Sequence, residues 1–248
     1  MEWITPNWPT PSNVRALIST RAGGVSVGPY ASLNPADHVG DEPQAVQRNR
    51  EIVRAALPSE PHWLKQVHSA LVHRVSGDAQ GVPEADAAVS SVANQVCVVM
   101  TADCLPVLFC ADDGSEVGAA HAGWRGLAAG ILEHTVEVMS LPGSRLLAYL
   151  GPAIGPRAFE IGPEVRAEFV AADAQAAVAF QSVAGSDKYL ADLYLLARQR
   201  LARVGVTRVY GGDFCTYSEP QRFFSYRRDG ATGRMASLIW LDQHTKTS

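Results

Sequence analysis

The sequence predicts an α+β fold, and three observations carry that expectation. Short apolar runs outnumber segments with helical periodicity. Strands and helices fall in unequal clusters rather than alternating along the chain. Asp113-Gly114 sits between two apolar runs, a strong hairpin signal that implies antiparallel pairing. The 248 residues are 47% hydrophobic and 19% charged, ordinary globular composition with material for a sizeable core. No internal repeat, low-complexity tract or charge run divides the chain. We therefore expect a single domain over residues 1–248, with mixed and antiparallel sheets flanked by helices.

Strands are expected at Val14 to Thr20, Val67 to Val75, Ala87 to Ser90, Val96 to Met100, Leu105 to Ala111, Glu116 to Ala120, Leu146 to Leu150, Val206 to Tyr210 and Ser237 to Leu241. Helices are expected where apolar residues recur at three and four. These are Val46 through Leu57, Leu127 through Val138, and Leu190 through Val204 with Gly205 as the stop. Pro163 suits the first turn of a helix over PEVRAEFVAA, where a missing N–H costs nothing. The Ala-rich AADAQAAVAF that follows reads as a helix end or surface segment.

Composition excludes some functions. A formal charge of −4 and a pI near 6.0 argue against a nucleic-acid-binding surface, which depends on clustered Lys and Arg. The start, MEWITPNWPTPS, lacks the basic and apolar regions of a secretory signal, and no stretch approaches the ~20 apolar residues of a membrane span, so a cytoplasmic location is expected. The four cysteines, Cys97, Cys104, Cys110 and Cys215, show no C-x-x-C spacing. Cys97, Cys110 and Cys215 lie in apolar or aromatic settings and read as core.

Chemistry concentrates in TADCLPVLFCADDGSEVGAAHAGWRG, residues 101–126. A two-residue turn at Asp113-Gly114 sets Pro106 opposite His121 and Cys104 opposite Gly123, so Cys104 and His121 become diagonal neighbours ~7–8 Å apart at the open end of the hairpin. Gly123 and Gly126 let the backbone turn sharply, and the helix from Leu127 directs its amides to the same spot. Arg125 adds a positive charge suited to an anion, or pairs with an acidic side chain. Upstream, WLKQVHSALVHRV presents His68, with His73 on the opposite face. A His and a Cys can be a base and its nucleophile. Two His and a Cys can be a zinc set with one open position. Spacing alone does not choose between them. Arg21 in TRAGGVSVGPYASLN and Arg227, Arg228 and Arg234 in FFSYRRDGATGR complete the inventory, and neither loop matches a nucleotide-triphosphate or dinucleotide glycine pattern.

Together QVHSALV, EADAAVSS, TADCLPVLF, AAHAGWRGL, YLGPAIGP and FFSYRRDGATGR, in this order over nearly the whole chain, resemble the bacterial multicopper polyphenol oxidase family, also called laccase-domain or YfiH-type proteins. The resemblance implies a single α+β domain that binds zinc through His68, Cys104 and His121. It also implies an enzyme of purine nucleosides and phosphate, acting by phosphorolysis of adenosine, inosine, guanosine and methylthioadenosine and by deamination of adenosine. Copper-dependent phenol oxidation, the older claim behind the family name, needs many imidazoles, and this chain has seven His with only two in the family motifs. The implied fold resembles that of Cys-His hydrolases, so amide cleavage of a peptidoglycan precursor stands as the alternative. Deamination needs a carboxylate to carry protons, for which Asp103 is nearest in sequence to Cys104. Phosphorolysis needs an anion site, for which Arg125, Arg21 and Arg227 are the candidates.

Overall fold

The structure, a computed structural model, describes residues 2–76 and 81–243. Its strands are β1 (Trp3–Ile4), β2 (Val14–Ser19), β3 (Pro61–His62), β4 (Val72–Arg74), β5 (Ala87–Ser90), β6 (Val96–Thr101), β7 (Leu105–Ala111), β8 (Val117–Ala122), β9 (Leu146–Leu150), β10 (Glu160–Ile161), β11 (Phe180–Ser182), β12 (Tyr189–Ala191), β13 (Arg208–Gly211) and β14 (Met235–Leu241). The α-helices are α1 (Pro43–Arg54), α2 (Trp124–Ala128), α3 (Ile131–Val138), α4 (Pro163–Ala172), α5 (Leu193–Arg203) and α6 (Tyr226–Asp229). A six-stranded mixed sheet runs β13-β9-β7-β8-β5-β4, a five-stranded one β1-β2-β14-β6-β3, and a small antiparallel one β10-β12-β11.

The two large sheets stack between helices, and alternation along the strands shows it. From β7, Leu105, Val107 and Phe109 enter one core with Leu127 and Ile131 of the α2–α3 segment and Leu201 of α5. Leu108 and Cys110 turn the other way and meet Cys97 and Val99 of β6 and Ile239 of β14. The outer face of the five-stranded sheet, through Val96, Val98 and Leu238, packs against Val53 of α1. Because β7 and β8 are covered on both faces, every residue in them is buried and they read as unbroken apolar runs. The small residues of β8 have a packing reason: a Cβ on Gly118 would lie 3.3 Å from both Ala88 O and Val89 Cγ2 of β5.

Four expectations are corrected. The strand at 67–75 shrinks to β4, because Val67, His68 and Ser69 turn their N–H groups onto the Asp86 carboxylate instead of a sheet. The helix over Leu127–Val138 is two, α2 and α3, broken at Gly130 in the left-handed region at φ 92. The helix expected from Leu190 begins at Leu193 under an Asp192 cap that accepts Leu195 N at 2.9 Å, while Leu190 lies in β12. The strand expected over Val206 to Tyr210 runs from Arg208 to Gly211. Gly205 stops α5 at φ 82, as expected. Strands β1, β3, β10, β11 and β12 have two or three residues each, too few to show a period.

Candidate functional site

The predicted register of the β7–β8 hairpin is the observed one, Pro106 opposite His121 and Leu105 opposite Ala122. The connection is longer than a two-residue turn, closed by Gly114 N donating to Ala111 O at 3.0 Å with Gly114 at φ 71. At the open end, Cys104 Sγ lies 3.8 Å from His68 Nε2, and the ligand atoms of His68, Cys104 and His121 all fall within 4.8 Å of one another. The imidazoles of His68 and His121 meet edge to face, ring centroids 4.7 Å apart. Gly123 makes room for this: a Cβ there would come within 2.8 Å of Cys104 Sγ and 3.0 Å of His68 Cδ2. On Gly126 it would lie 3.0 Å from Ser69 O, under the turn that carries His68.

Asp86, in the EADAAVSS motif but not among the expected site residues, holds two members of the cluster at once. Its Oδ1 accepts His121 Nδ1 at 2.8 Å and His68 N at 3.0 Å. Its Oδ2 accepts Val67 N at 3.2 Å, Ser69 N at 2.6 Å and Ser69 Oγ at 2.7 Å. These bonds hold His68 in the left-handed region at φ 60, unusual for a non-glycine residue. On the other side Gln66 clamps the backbone of Met100, donating Nε2 to its O at 2.8 Å and accepting its N at 2.7 Å.

The electrostatics follow from this packing. Burial pushes the Asp86 carboxyl up, but hydrogen bonds from His121 and Ser69 bring it down to about 2. Burial likewise raises the Cys104 thiol, and the charge of His121 with hydrogen bonds from both imidazoles lowers it to about 6. Burial lowers His121, and the charge of Cys104 with the bond to Asp86 raises it to about 9. Before any ligand binds, the cluster thus favours a thiolate beside an imidazolium. Two imidazoles and a thiolate are the donor set of a three-ligand zinc site, and their spacing lets one ion touch all three.

The cluster opens into a cavity of about 540 Å³, room for a small-molecule substrate. Three aromatic side chains and three guanidiniums line it in pairs: Arg125 Cζ lies 4.4 Å from the Trp124 ring, Arg227 Cζ 5.4 Å from Phe159, and Arg234 Cζ 6.0 Å from Tyr226. Among the described residues none of these arginines has a carboxylate partner within salt-bridge distance. Arg234 is not among the anion-site candidates that the sequence suggests. Arg21, which is among them, is not brought to the cavity: its Nε donates to Ala31 O and its Nη1 to Pro220 O, each at 3.0 Å, with the guanidinium over Phe224. Asp103 lines the cavity at φ 86, but both carboxylate oxygens are engaged. Oδ1 accepts Thr216 Oγ1 at 2.6 Å and Oδ2 accepts Arg227 N at 2.7 Å. Ile154 closes another wall. Its loop is pinned by the Tyr194 hydroxyl, which accepts Ala153 N at 2.9 Å.

A two-sheet α+β sandwich with a His-Cys-His cluster at the open end of its central hairpin defines a class of proteins. The chain belongs to the multi-copper polyphenol oxidoreductase laccase family, whose profile matches residues 15–242. It is 58% identical over 240 residues to the Escherichia coli (strain K12) protein named purine nucleoside phosphorylase YfiH, covering 96% of this chain and 98% of that one. A Haemophilus influenzae protein named purine nucleoside phosphorylase is 51% identical over 245 residues, 98% of this chain and 100% of that one. The crystal structure of Neisseria meningitidis protein NMB0706 superimposes with a TM-score of 0.94 at 55% identity, covering 98% of this chain and 100% of that one. No helix among the described residues is long and apolar enough to cross a membrane.

Proposed function

We propose that this cavity carries out phosphorolysis of purine nucleosides beside a zinc ion held by His68, Cys104 and His121. The observation that carries the reading is the company the cluster keeps: three aromatic side chains and three arginines without carboxylate partners among the described residues line one cavity, which suits a flat base and an anion. The names of the relatives support the same reaction. In phosphorolysis a phosphate oxygen bonds to C1′ of the ribose as the C1′–N9 bond breaks, and the glycosidic electron pair leaves with the base. Positive charge builds on the ribose and must lie against the incoming phosphate. Arg125, Arg227 and Arg234 supply the positive charge that draws the phosphate into the cavity. Trp124, Phe159 and Tyr226 orient the purine. Zinc held by His68, Cys104 and His121 would supply a Lewis acid to the cavity.

The proposed substrates are adenosine, inosine, guanosine and methylthioadenosine, with deamination of adenosine as a second reaction; this range rests on the family resemblance. Asp103 is expected to act by position, since its oxygens fasten the Thr216 hydroxyl and the Arg227 backbone. One observation favours a second reading: Cys104, His121 and Asp86 also line up as nucleophile, base and orienting carboxylate, the arrangement of a cysteine hydrolase. The test is base release from adenosine and inosine with and without phosphate. Strict phosphate dependence supports phosphorolysis. Equal release without phosphate points to a hydrolytic nucleosidase, and no release from any nucleoside favours the hydrolase.

A further inference from the structure

Thr101, at the end of β6, and Arg234, just ahead of β14, both line the cavity. Thr101 ends β6 opposite Met235, the first residue of β14, and Arg234 directly precedes Met235. Thr101 is 2% exposed, yet its Oγ1 is buried without a hydrogen-bond partner, a costly arrangement unless a ligand completes it. Arg234 is half spent. Its Nη1 donates to Thr232 O at 2.9 Å and Gly233 O at 3.0 Å, which fixes the plane of the guanidinium. Among the described residues its Nε and Nη2 donate to nothing, and that edge is the fork that grips two oxygens of a tetrahedral anion.

The geometry points to Arg234 and Thr101 as the oxyanion subsite of the cavity, which takes inorganic phosphate with two oxygens on the Nε–Nη2 edge and a third on the threonine hydroxyl. The assignment rests on the phosphorolytic reading for the identity of the anion. The other arginines are less suited. Arg125 is exposed, where water and salt screen its charge. The Nη1 of Arg227 is taken by Glu160 O at 2.7 Å and its backbone is held by Asp103. Arg234 is the desolvated one, with burial drawing its pKa below the usual arginine value. A charge there acts on an anion through a medium less polar than water.

Binding of inorganic phosphate to the zinc-loaded protein, measured by isothermal titration calorimetry, tests this. Arg234→Gln should weaken phosphate at least about 10-fold, the worth of one charge-assisted bond. Arg234→Lys should recover only part of that, because an ammonium cannot supply the fork. Arg125→Gln should cost less than Arg234→Gln. Because Arg234 also braces its own loop, Thr101→Val, which keeps the side-chain shape, provides an independent reading and should weaken phosphate several-fold. Wild-type affinity in both Arg234→Gln and Thr101→Val, or no phosphate binding by the wild type at millimolar concentration, overturns the subsite. Phosphate binding that depends on both residues in a protein that releases no base supports the subsite and refutes the phosphorolytic reading. Phosphate-dependent base release unaffected by either substitution does the reverse.

Discussion

Asp86 illustrates how much one side chain can decide. Its two oxygens accept from both sides, and an amide cannot do the same. In Asp86→Asn, if the oxygen faces His121 then the NH₂ group opposes the N–H of Ser69. If it faces Ser69, the NH₂ group opposes His121 Nδ1 and forces the tautomer that places a hydrogen on Nε2. We expect Asp86→Asn to lose about 10- to 100-fold in zinc affinity, the usual cost of removing a ligand's supporting partner. Titration against a competing chelator measures it, and an unchanged affinity refutes the role. The EADAAVSS motif displays Asp86, but nothing in the local pattern says that its carboxylate organises residues 67–69. Nor does the pattern distinguish Arg21 from Arg234. Each is an arginine beside glycines, and only the carbonyls of Ala31 and Pro220, brought in by tertiary folding, draw Arg21 away from the cavity.

At the scale of elements, the β7–β8 hairpin is legible in the sequence and the His68 turn is not. Asp113-Gly114 and two unbroken apolar runs specify a register locally, which is why residue spacing by itself brings Cys104 and His121 together. The turn at His68 depends on a carboxylate from another strand, so alternation in WLKQVHSALV points to a strand instead. Gly123→Ala should leave the hairpin folded and empty the metal site, since the added methyl would overlap Cys104 Sγ. Elemental analysis should then give well below one zinc per chain, and full occupancy would count against the packing argument. At the other end of the hairpin, Asp112 accepts Arg145 Nη2 at 2.7 Å and Arg208 Nη2 at 3.0 Å, tying the turn to the residue that leads into β9 and to β13. Those bonds hold its carboxyl below the usual range. A depressed folded-state pKa contributes stability above the unfolded-state value that is lost as pH falls through the folded one. Asp112→Asn should therefore flatten the acid side of a Tm-versus-pH curve, and a curve identical to wild type would show that the pairs are fully screened.

Across the whole molecule, the layers explain why the fold class can be read from the sequence while the small sheet cannot. Strands buried on both faces leave long apolar runs, whereas β10, β11 and β12 are too short to leave any pattern. The core between the six-stranded sheet and its helices centres on residues such as Phe109, fully buried, and Phe109→Ala should cost about 3–5 kcal/mol in denaturant unfolding. A loss under about 1 kcal/mol would contradict the packing described.

What the layers hold at their open end is a thiol that can belong to a metal or act on a substrate, and the zinc reading commits it to the metal. Mass spectrometry of Cys104 after iodoacetamide, with and without prior treatment with a chelator, distinguishes the two. A zinc-held thiolate should alkylate slowly, then rapidly once the metal is stripped, with base-releasing activity lost in the same step. Rapid labelling of Cys104 in the untreated protein, together with activity that survives the chelator, would contradict the zinc reading.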